Sequence, residues 1–476
     1  MLVPLAVAFG VCAAFLCAAY FLFRKNLAKA VLLSVALFIL FFSYGHIKNI
    51  LDGIVLLGLD VGRDRHVLGV FGIILATLFF VLYRSRSDLR PIVFFFFRFG
   101  VVLLAISLFS VARFAAFSES WSIYDIMSRD YAPVAGTNSN GANPDIYYII
   151  LDGYAQESTL RSIYEFDNTS FLKSLRERGF FVPTASRANY AQTHLSLASS
   201  LNMDYLPTLP KESTDFSPTF QLIRKNAVSD FLRTRGYRFV HIGSGMVEMT
   251  NRNPYADIDF RNGRFDEFTT IALESSAAYP FVRSQIEAQE RDRVLYSFNK
   301  LKEIPLLGGP NFIFSHIVVP HPPFVFGPNG ERIDDPNLRL YENNPWLLKR
   351  HYIDQLQFTN KKTLETIDAI IKASKTPSII ILQGDHGTAS TGSGYKGLEE
   401  PTEILAKERM KIFAAYRLPG HEEAIPEEIT PINAFRKIFN AYFDANFSEL
   451  PNKSYFSHYE RPFDFIDVTD DARKSY

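Results

Sequence analysis

Ser378 to Thr388 reads SIIILQGDHGT. Its first half is a short apolar, β-branched run, the pattern of a strand covered on both faces. Polarity then switches within one residue. Asp385 and His386 stand together at the carboxyl end of the run, flanked by Gly384 and Gly387. In open α/β sheets, ligands bind at the carboxyl ends of strands. A carboxylate beside an imidazole at such a point suits a divalent metal. The same pair also fits a turn whose Asp caps a helix and whose His is incidental, so the remaining sequence has to decide.

The chain has 476 residues and a formal net charge of zero, which gives no electrostatic footprint for nucleic acid. Both cysteines, Cys12 and Cys17, lie in the first apolar run. The rest of the chain therefore has neither a disulfide framework nor a thiolate metal site.

Phenylalanine is concentrated near the amino end, where four apolar stretches lie. Leu2 to Phe23 is long enough to span a bilayer, and its charges (Arg24, Lys25, Lys29) follow it. A cleaved signal peptide carries its charges before the apolar run, so a retained helix is expected. Ala30 to Tyr44, His66 to Tyr83 and Pro91 to Phe117 supply three further spans. Ile50 to Asp60 is apolar but short, and reads as an interfacial or half-inserted piece. Basic residues crowd the loop after the first span and the loop after the third, which holds Arg84, Arg86 and Arg90. The positive-inside rule places both loops in the cytoplasm, and everything after Phe117 outside it. The expected organisation is a membrane region over 1–117, a linker over 118–143, a catalytic domain over 144–460 and a tail over 461–476.

The soluble part alternates strands and helices. Strands are expected at Asp145 to Leu151, Phe180 to Val182, Tyr237 to Ile242, Asn311 to Val319, Ser378 to Leu382 and Lys411 to Tyr416. Helical patterns fall at Thr169 to Arg178, Ser229 to Arg235, Arg283 to Leu301, Trp346 to Lys372 and Ile429 to Phe443. This is the signature of an α/β fold with a mainly parallel central sheet and helices on both faces. No internal repeat is visible.

Two buried strands end in acids, at Asp152 in ILDG and Asp385 in GDHG. If both strands are central and parallel, Asp152, Asp385 and His386 meet at one edge of the sheet. Two carboxylates and an imidazole form a site for Zn, Mn or Mg. Asn189 to Asn202, NYAQTHLSLASSLN, offers hydroxyls at Thr193, Ser196, Ser199 and Ser200 on a segment that can open a helix. Helix amino termini favour anionic oxygens, and a metal would turn such a hydroxyl into a nucleophile. Thr193 equally fits a plain helix cap.

The ordered set of ILDG, THLS, a His-containing strand end and GDHG resembles the alkaline phosphatase and sulfatase superfamily. Thr193 to Leu197 lies in register with the sulfatase nucleophile motif, Cys/Ser-x-Pro-Ser-Arg. No Cys or Ser stands at 193, and the motif's Pro and Arg are absent, so the usual sulfate-ester mechanism is not implied. A threonine there is similar to the branch of lipoteichoic acid synthases and phosphoethanolamine transferases. The resemblance implies an alkaline phosphatase-like fold behind a helical membrane bundle, with an extracytoplasmic site. It implies transfer of a phosphoglycerol or phosphoethanolamine type group from a phospholipid donor to an envelope glycan acceptor, through a phospho-threonine. Asp152, Thr193, Asp385 and His386 would be metal ligands, with Asp152 where that branch usually has Glu. Thr193 would also be the nucleophile. His321 in VPHPPF, His316 within the preceding strand, Lys396 after GDHG and Asn189 would contact the transferred group. The alternatives are a phosphodiester or sulfate-ester hydrolase on the same fold, and a non-catalytic scaffold of envelope assembly.

Overall fold

The computed structural model describes residues 2–117, 143–207, 209–245, 247–263, 265–333, 344–392 and 401–476. The chain divides into two compact units: Met1–Trp121 with Phe265–Ile286, and Ser122–Arg264 with Glu287–Tyr476.

Among the described residues, the amino-terminal part of the first unit holds four helices: α1 (Leu2–Leu22), α2 (Leu27–Leu51), α3 (Asp64–Arg84) and α4 (Arg90–Phe117). α2, α3 and the Arg90–Ser110 part of α4 are each long and apolar enough to cross a membrane, and among the residues of α1 whose side chains are described Cys12–Leu22 is apolar. Leu16, Ala19, Phe23, Ala30, Leu33 and Leu82 pack together between the helices. Many large apolar side chains point outward, among them Ile39, Phe42, Ile73, Phe94 and Phe95. An apolar belt of this extent suits lipid rather than water. Asn26 caps α2 by accepting a hydrogen bond from Lys29 N–H. The Lys29 ammonium then donates to the Tyr83 and Ser85 carbonyls at the carboxyl end of α3, where a cation is favoured. The piece expected at Ile50 to Asp60 is the end of α2 followed by a hairpin, β1 (Val55–Leu56) against β2 (Leu59–Asp60).

The second unit is built on six strands: β3 (Ile146–Leu151), β4 (Arg238–Ile242), β5 (Ile258–Phe260), β6 (Asn311–Ile317), β7 (Ile379–Gln383) and β8 (Ala414–Arg417). Their order is β5-β4-β6-β3-β7-β8. All neighbours are parallel except β8, which runs antiparallel to β7 at the edge. Every residue of β3, β6 and β7 is buried. Tyr147, Ile149 and Leu151 enter one apolar cluster, and Ile146, Tyr148 and Ile150 enter another. Burial on both faces is why these strands read as unbroken apolar runs rather than alternating ones.

Some sequence expectations shift. Phe180 to Val182 makes only a single bridge, Phe181 to Tyr416. β5 and a carboxyl-terminal hairpin, β9 (Tyr455–His458) with β10 (Arg461–Asp467), were not expected. A domain boundary at 460 would fall inside that hairpin. Phe265–Ile286 groups with the membrane helices, so 144–460 is not one uninterrupted unit.

Register carries the site. Leu151 lies opposite Ile317 and Ile150 opposite Gln383, so the three central strands end together. The turn after β3 requires Gly153: its φ is +69°, and a Cβ there would lie 2.7 Å from the Trp346 ring. Gly153→Ala should therefore destabilise the catalytic unit by about 1–3 kcal/mol, read from denaturant unfolding of the full chain in detergent.

Candidate active site

Three loops leave the sheet at the same edge. Asp152 is the first residue after β3, Gly384-Asp385-His386-Gly387 follows β7, and Val318 to His321 follows β6. Asp152, Asp385, His386 and His316 are all buried. The Thr193–Asn202 helix points its first residue at them, with Gln192 as its N-cap residue. Thr193 is half-buried, while every other residue of that helix is buried. Its Oγ1 lies 2.9 Å from His386 Nε2. The same Nε2 lies 3.3 Å from Asp385 Oδ2 and 3.6 Å from Asp152 Oδ1. Thr193, Asp385, His386 and Asp152 are thus brought together as the sequence reading expects. The remaining hydroxyls of this segment are engaged: Ser196 donates to the Asp385 carbonyl at 2.7 Å, and Ser199 to the Ser196 carbonyl. Ser200 donates to the Leu197 carbonyl and accepts from Tyr148.

Hydrogen bonds fix the protons. His386 Nδ1 donates to the Gly387 carbonyl at 2.9 Å, which leaves the Nε2 lone pair facing Thr193 and the two acids. A backbone carbonyl behind an imidazole is the usual way a ligating tautomer is set. Asp152 Oδ1 and Asp385 Oδ2 are buried without a hydrogen-bond partner. Two orphaned carboxylate oxygens and an imidazole lone pair aimed at one another are costly to bury, and a divalent cation offsets that cost. The donor set therefore fits a divalent metal. Asp385 Oδ1 is held by the Gly153 N–H at 3.0 Å.

His316 has a different part. Its Nε2 lies 3.1 Å from Asp152 Oδ2, and its Nδ1 lies 2.8 Å from Thr250 Oγ1. A carboxylate only accepts, so His316 Nε2–H donates to Asp152 and the Thr250 hydroxyl donates to Nδ1. His316 stands behind Asp152 and orients it, with no lone pair left for a ligand. His321 is half-buried, and its Nδ1 donates to the Pro322 carbonyl at 2.6 Å, leaving Nε2 available. Its ring stands edge-on to Trp346 and 6.0 Å from the His386 ring.

Charge follows geometry. Burial alone would raise the Asp152 carboxyl, but the imidazoles of His321, His316 and His386 outweigh it and hold it below the usual carboxylate range. Burial and the neighbouring Asp152 charge push the Asp385 carboxyl up instead. Burial, reinforced by the Arg409 guanidinium, takes His386 well below the ordinary imidazole value; burial lowers His321 as well. Both imidazoles are neutral at pH 7, the form that ligates or accepts a proton.

One expected residue, Asn189, is not part of this group. Asn189 is fully buried, and its amide is used structurally: Nδ2 donates to the Lys453 carbonyl at 2.9 Å and Oδ1 accepts from Ile432 N–H at 3.1 Å. Lys396 lies outside the described residues.

The sequence reading missed the residues that hold the loops. Arg409 is buried and donates to the Ala191 carbonyl at 2.6 Å and the Gly387 carbonyl at 2.7 Å. One guanidinium thereby ties the segment before Thr193 to the turn after His386. Its neighbour Glu408, also buried, accepts from Thr388, Ser390 and Thr391 and ties down the loop beyond GDHG. A Cβ at Gly387 would collide with the Glu408 carbonyl, which explains the second glycine of the motif. Tyr352 donates to the Gly153 carbonyl at 3.0 Å. Gln355 donates to the His321 carbonyl at 2.9 Å.

A profile of the Sulfatase family matches residues 144–441. The chain belongs to the sulfatase family and is a sulfatase-like enzyme of the alkaline phosphatase superfamily. The C-terminal periplasmic domain of EcEptC from Escherichia coli, in complex with Zn, is similar at 11% identity, covering 69% of this chain and 94% of that chain with a TM-score of 0.43. The C-terminal periplasmic domain of the phosphoethanolamine transferase EptC from Campylobacter jejuni is similar at 13% identity, covering 65% and 92%, with a TM-score of 0.39. The phosphonate monoester hydrolase of Agrobacterium radiobacter is similar at 12% identity, covering 66% and 80%, with a TM-score of 0.39. No curated protein matches the chain. At these levels of structural likeness, the family assignment rests on the domain match.

Two outcomes test this site. Asp385 binds a proton in competition with metal, so affinity for Zn²⁺ or Mn²⁺ should weaken as pH falls, by up to about tenfold per unit below its raised pKa. Calorimetry in buffers of different ionisation enthalpy should show proton release on binding. In Asp385→Asn both affinity and proton release should drop. Arg409→Lys should keep its metal while losing about 10–100-fold in turnover, because misplaced reacting groups cost that much.

Proposed function

We propose that this chain is a membrane-anchored, metal-dependent phosphotransferase. It moves a phosphoglycerol or phosphoethanolamine type group from a phospholipid to an envelope glycan through a phospho-threonine at Thr193. The observation that carries this reading is the half-buried Thr193 hydroxyl beside His386 and two orphaned carboxylate oxygens, in a chain that also carries apolar spans. Membership of the family supports ester chemistry in general, either phosphotransfer or ester hydrolysis. A divalent cation held by Asp152, Thr193, Asp385 and His386 would acidify the Thr193 hydroxyl and offset charge on the phosphoryl oxygens.

In the first half-reaction Thr193 Oγ1 forms a bond to phosphorus, and the bond from phosphorus to the diacylglycerol oxygen breaks. The proton lost by Thr193 balances the one gained by that oxygen. His321 Nε2, free because Nδ1 serves Pro322, is the group suited to carry it. In the second half a sugar hydroxyl bonds to phosphorus and gives its proton to Nε2, the bond from Thr193 Oγ1 to phosphorus breaks, and that proton restores the Thr193 hydroxyl. His316 holds Asp152 in orientation throughout. Basic loops at Arg24–Lys29 and Arg84–Arg90 support an extracytoplasmic site, which puts it on the side of an outer-leaflet donor and an envelope acceptor.

Mass spectrometry of the Thr193 peptide after exposure to bacterial lipids should reveal an adduct whose mass names the head group. Thr193→Ala should abolish both adduct and transfer; transfer that survives this substitution ends the mechanism. A chromogenic phosphodiester, turned over with and without glycan, separates transfer from hydrolysis.

A further inference from the structure

The segment Phe265–Ile286 belongs to the membrane unit although the chain on both sides of it belongs to the catalytic unit. Its backbone joins α2 directly. Gly45 N–H donates to the Ser275 carbonyl at 3.0 Å, and the Phe41 carbonyl accepts from Ala277 N–H at 2.8 Å. Phe41 and Gly45 are the carbonyl and amide that pair with each other in an ordinary α-helix. The approach is close enough to demand glycine: a Cβ on Gly45 would lie 2.7 Å from the Glu274 carbonyl oxygen. From Gly45 to the end of α2 at Leu51 the helix rises about 9 Å. An interfacial segment sits about 5–10 Å into the boundary between head groups and acyl chains.

The side chains follow an inverted pattern. In the Glu267–Glu274 helix, Thr270 is buried while Phe268 and Ile271 are exposed, at 68% and 46%. Phe281 is 72% exposed. A helix facing water would turn those groups inward. In the same unit the β1–β2 hairpin exposes Ile54, Val55, Leu56, Leu57 and Leu59, with Leu57 at 95%. Charges flank its base at Lys48, Asp52, Asp60, Arg63 and Arg65. Both surfaces lie in the same unit as the outward apolar flanks of α2, α3 and α4, which sets lipid above a second copy of the chain as the occupant.

We propose that Phe265–Ile286 and the Ile54–Leu59 hairpin form one lipid-contact surface at the outer membrane–water interface. The chain then meets the bilayer again at Phe265–Ile286, far in sequence from the four amino-terminal helices. This inference is independent of what the active site transfers.

Environment-sensitive probes test it in the full chain, reconstituted in vesicles of phosphatidylethanolamine and phosphatidylglycerol. Cys12→Ser and Cys17→Ser clear the native thiols. Phe268→Cys and Leu57→Cys then carry a nitrobenzoxadiazole label, with Lys173→Cys as the exposed control. The inference expects blue-shifted emission at 268 and 57, several-fold less quenching by iodide than at 173, and stronger quenching by lipids with a nitroxide near the head group than by those with one at the chain end. Iodide quenching equal to that at 173 overturns it. So does protection from iodide without any response to nitroxide lipids, which would point to a protein partner. Gly45→Ala should return the 268 probe toward water while the 57 probe and the unfolding of the catalytic unit stay unchanged. An unmoved 268 probe overturns the docking on α2.

Discussion

The fold brings two carboxylates, from strands more than two hundred residues apart in sequence, to one buried edge and leaves one oxygen of each without a partner. Like charges in a low-dielectric site repel, so one carboxyl is pushed up while the other is held down by surrounding imidazoles. A site of this kind persists only if the surrounding backbone fixes it. The parallel register of β3, β6 and β7 does so, because it ends all three strands at the same level.

The loops are then fixed from outside the sheet. Arg409 and Glu408 lie side by side at the end of one helix and divide the work. The guanidinium gathers two carbonyls around Thr193 and His386, and the carboxylate gathers donors from the loop beyond. The Lys349–Ala373 helix does the same on the other side with Tyr352 and Gln355. Held from outside in this way, the loops that carry chemistry need little secondary structure themselves.

The sequence shows what burial on both faces and abrupt polarity make visible. β3 and β7 are buried, largely apolar runs followed at once or within two residues by an acid, so strand, edge and carboxylate can be read together. Thr193 is legible because it opens a helix in register with a known motif. The failures have physical causes. Arg409 and Glu408 are charged residues in a helical pattern, which reads as a solvated face until the partners are seen. Asn189 stands close to Thr193 in sequence, but its amide faces backbone more than two hundred residues away. β5 has three residues, all half-buried, and carries no pattern. In Phe265–Ile286 the apolar residues are too few to register as a span, and their outward direction is a property of the fold alone.

Strand order has a consequence for how the protein is made. β6 lies between β4 and β3, so β3 and β4 never touch. When β3, β4 and β5 have all been synthesised, nothing yet bridges β3 to the β4–β5 pair. Phe265–Ile286, which pairs with α2, is made between β5 and β6. Joining β3 to β4 therefore waits for residue 317. Until then the apolar strands on both sides stand open, a long-range topology of the kind that folds slowly and exposes chains to misassembly.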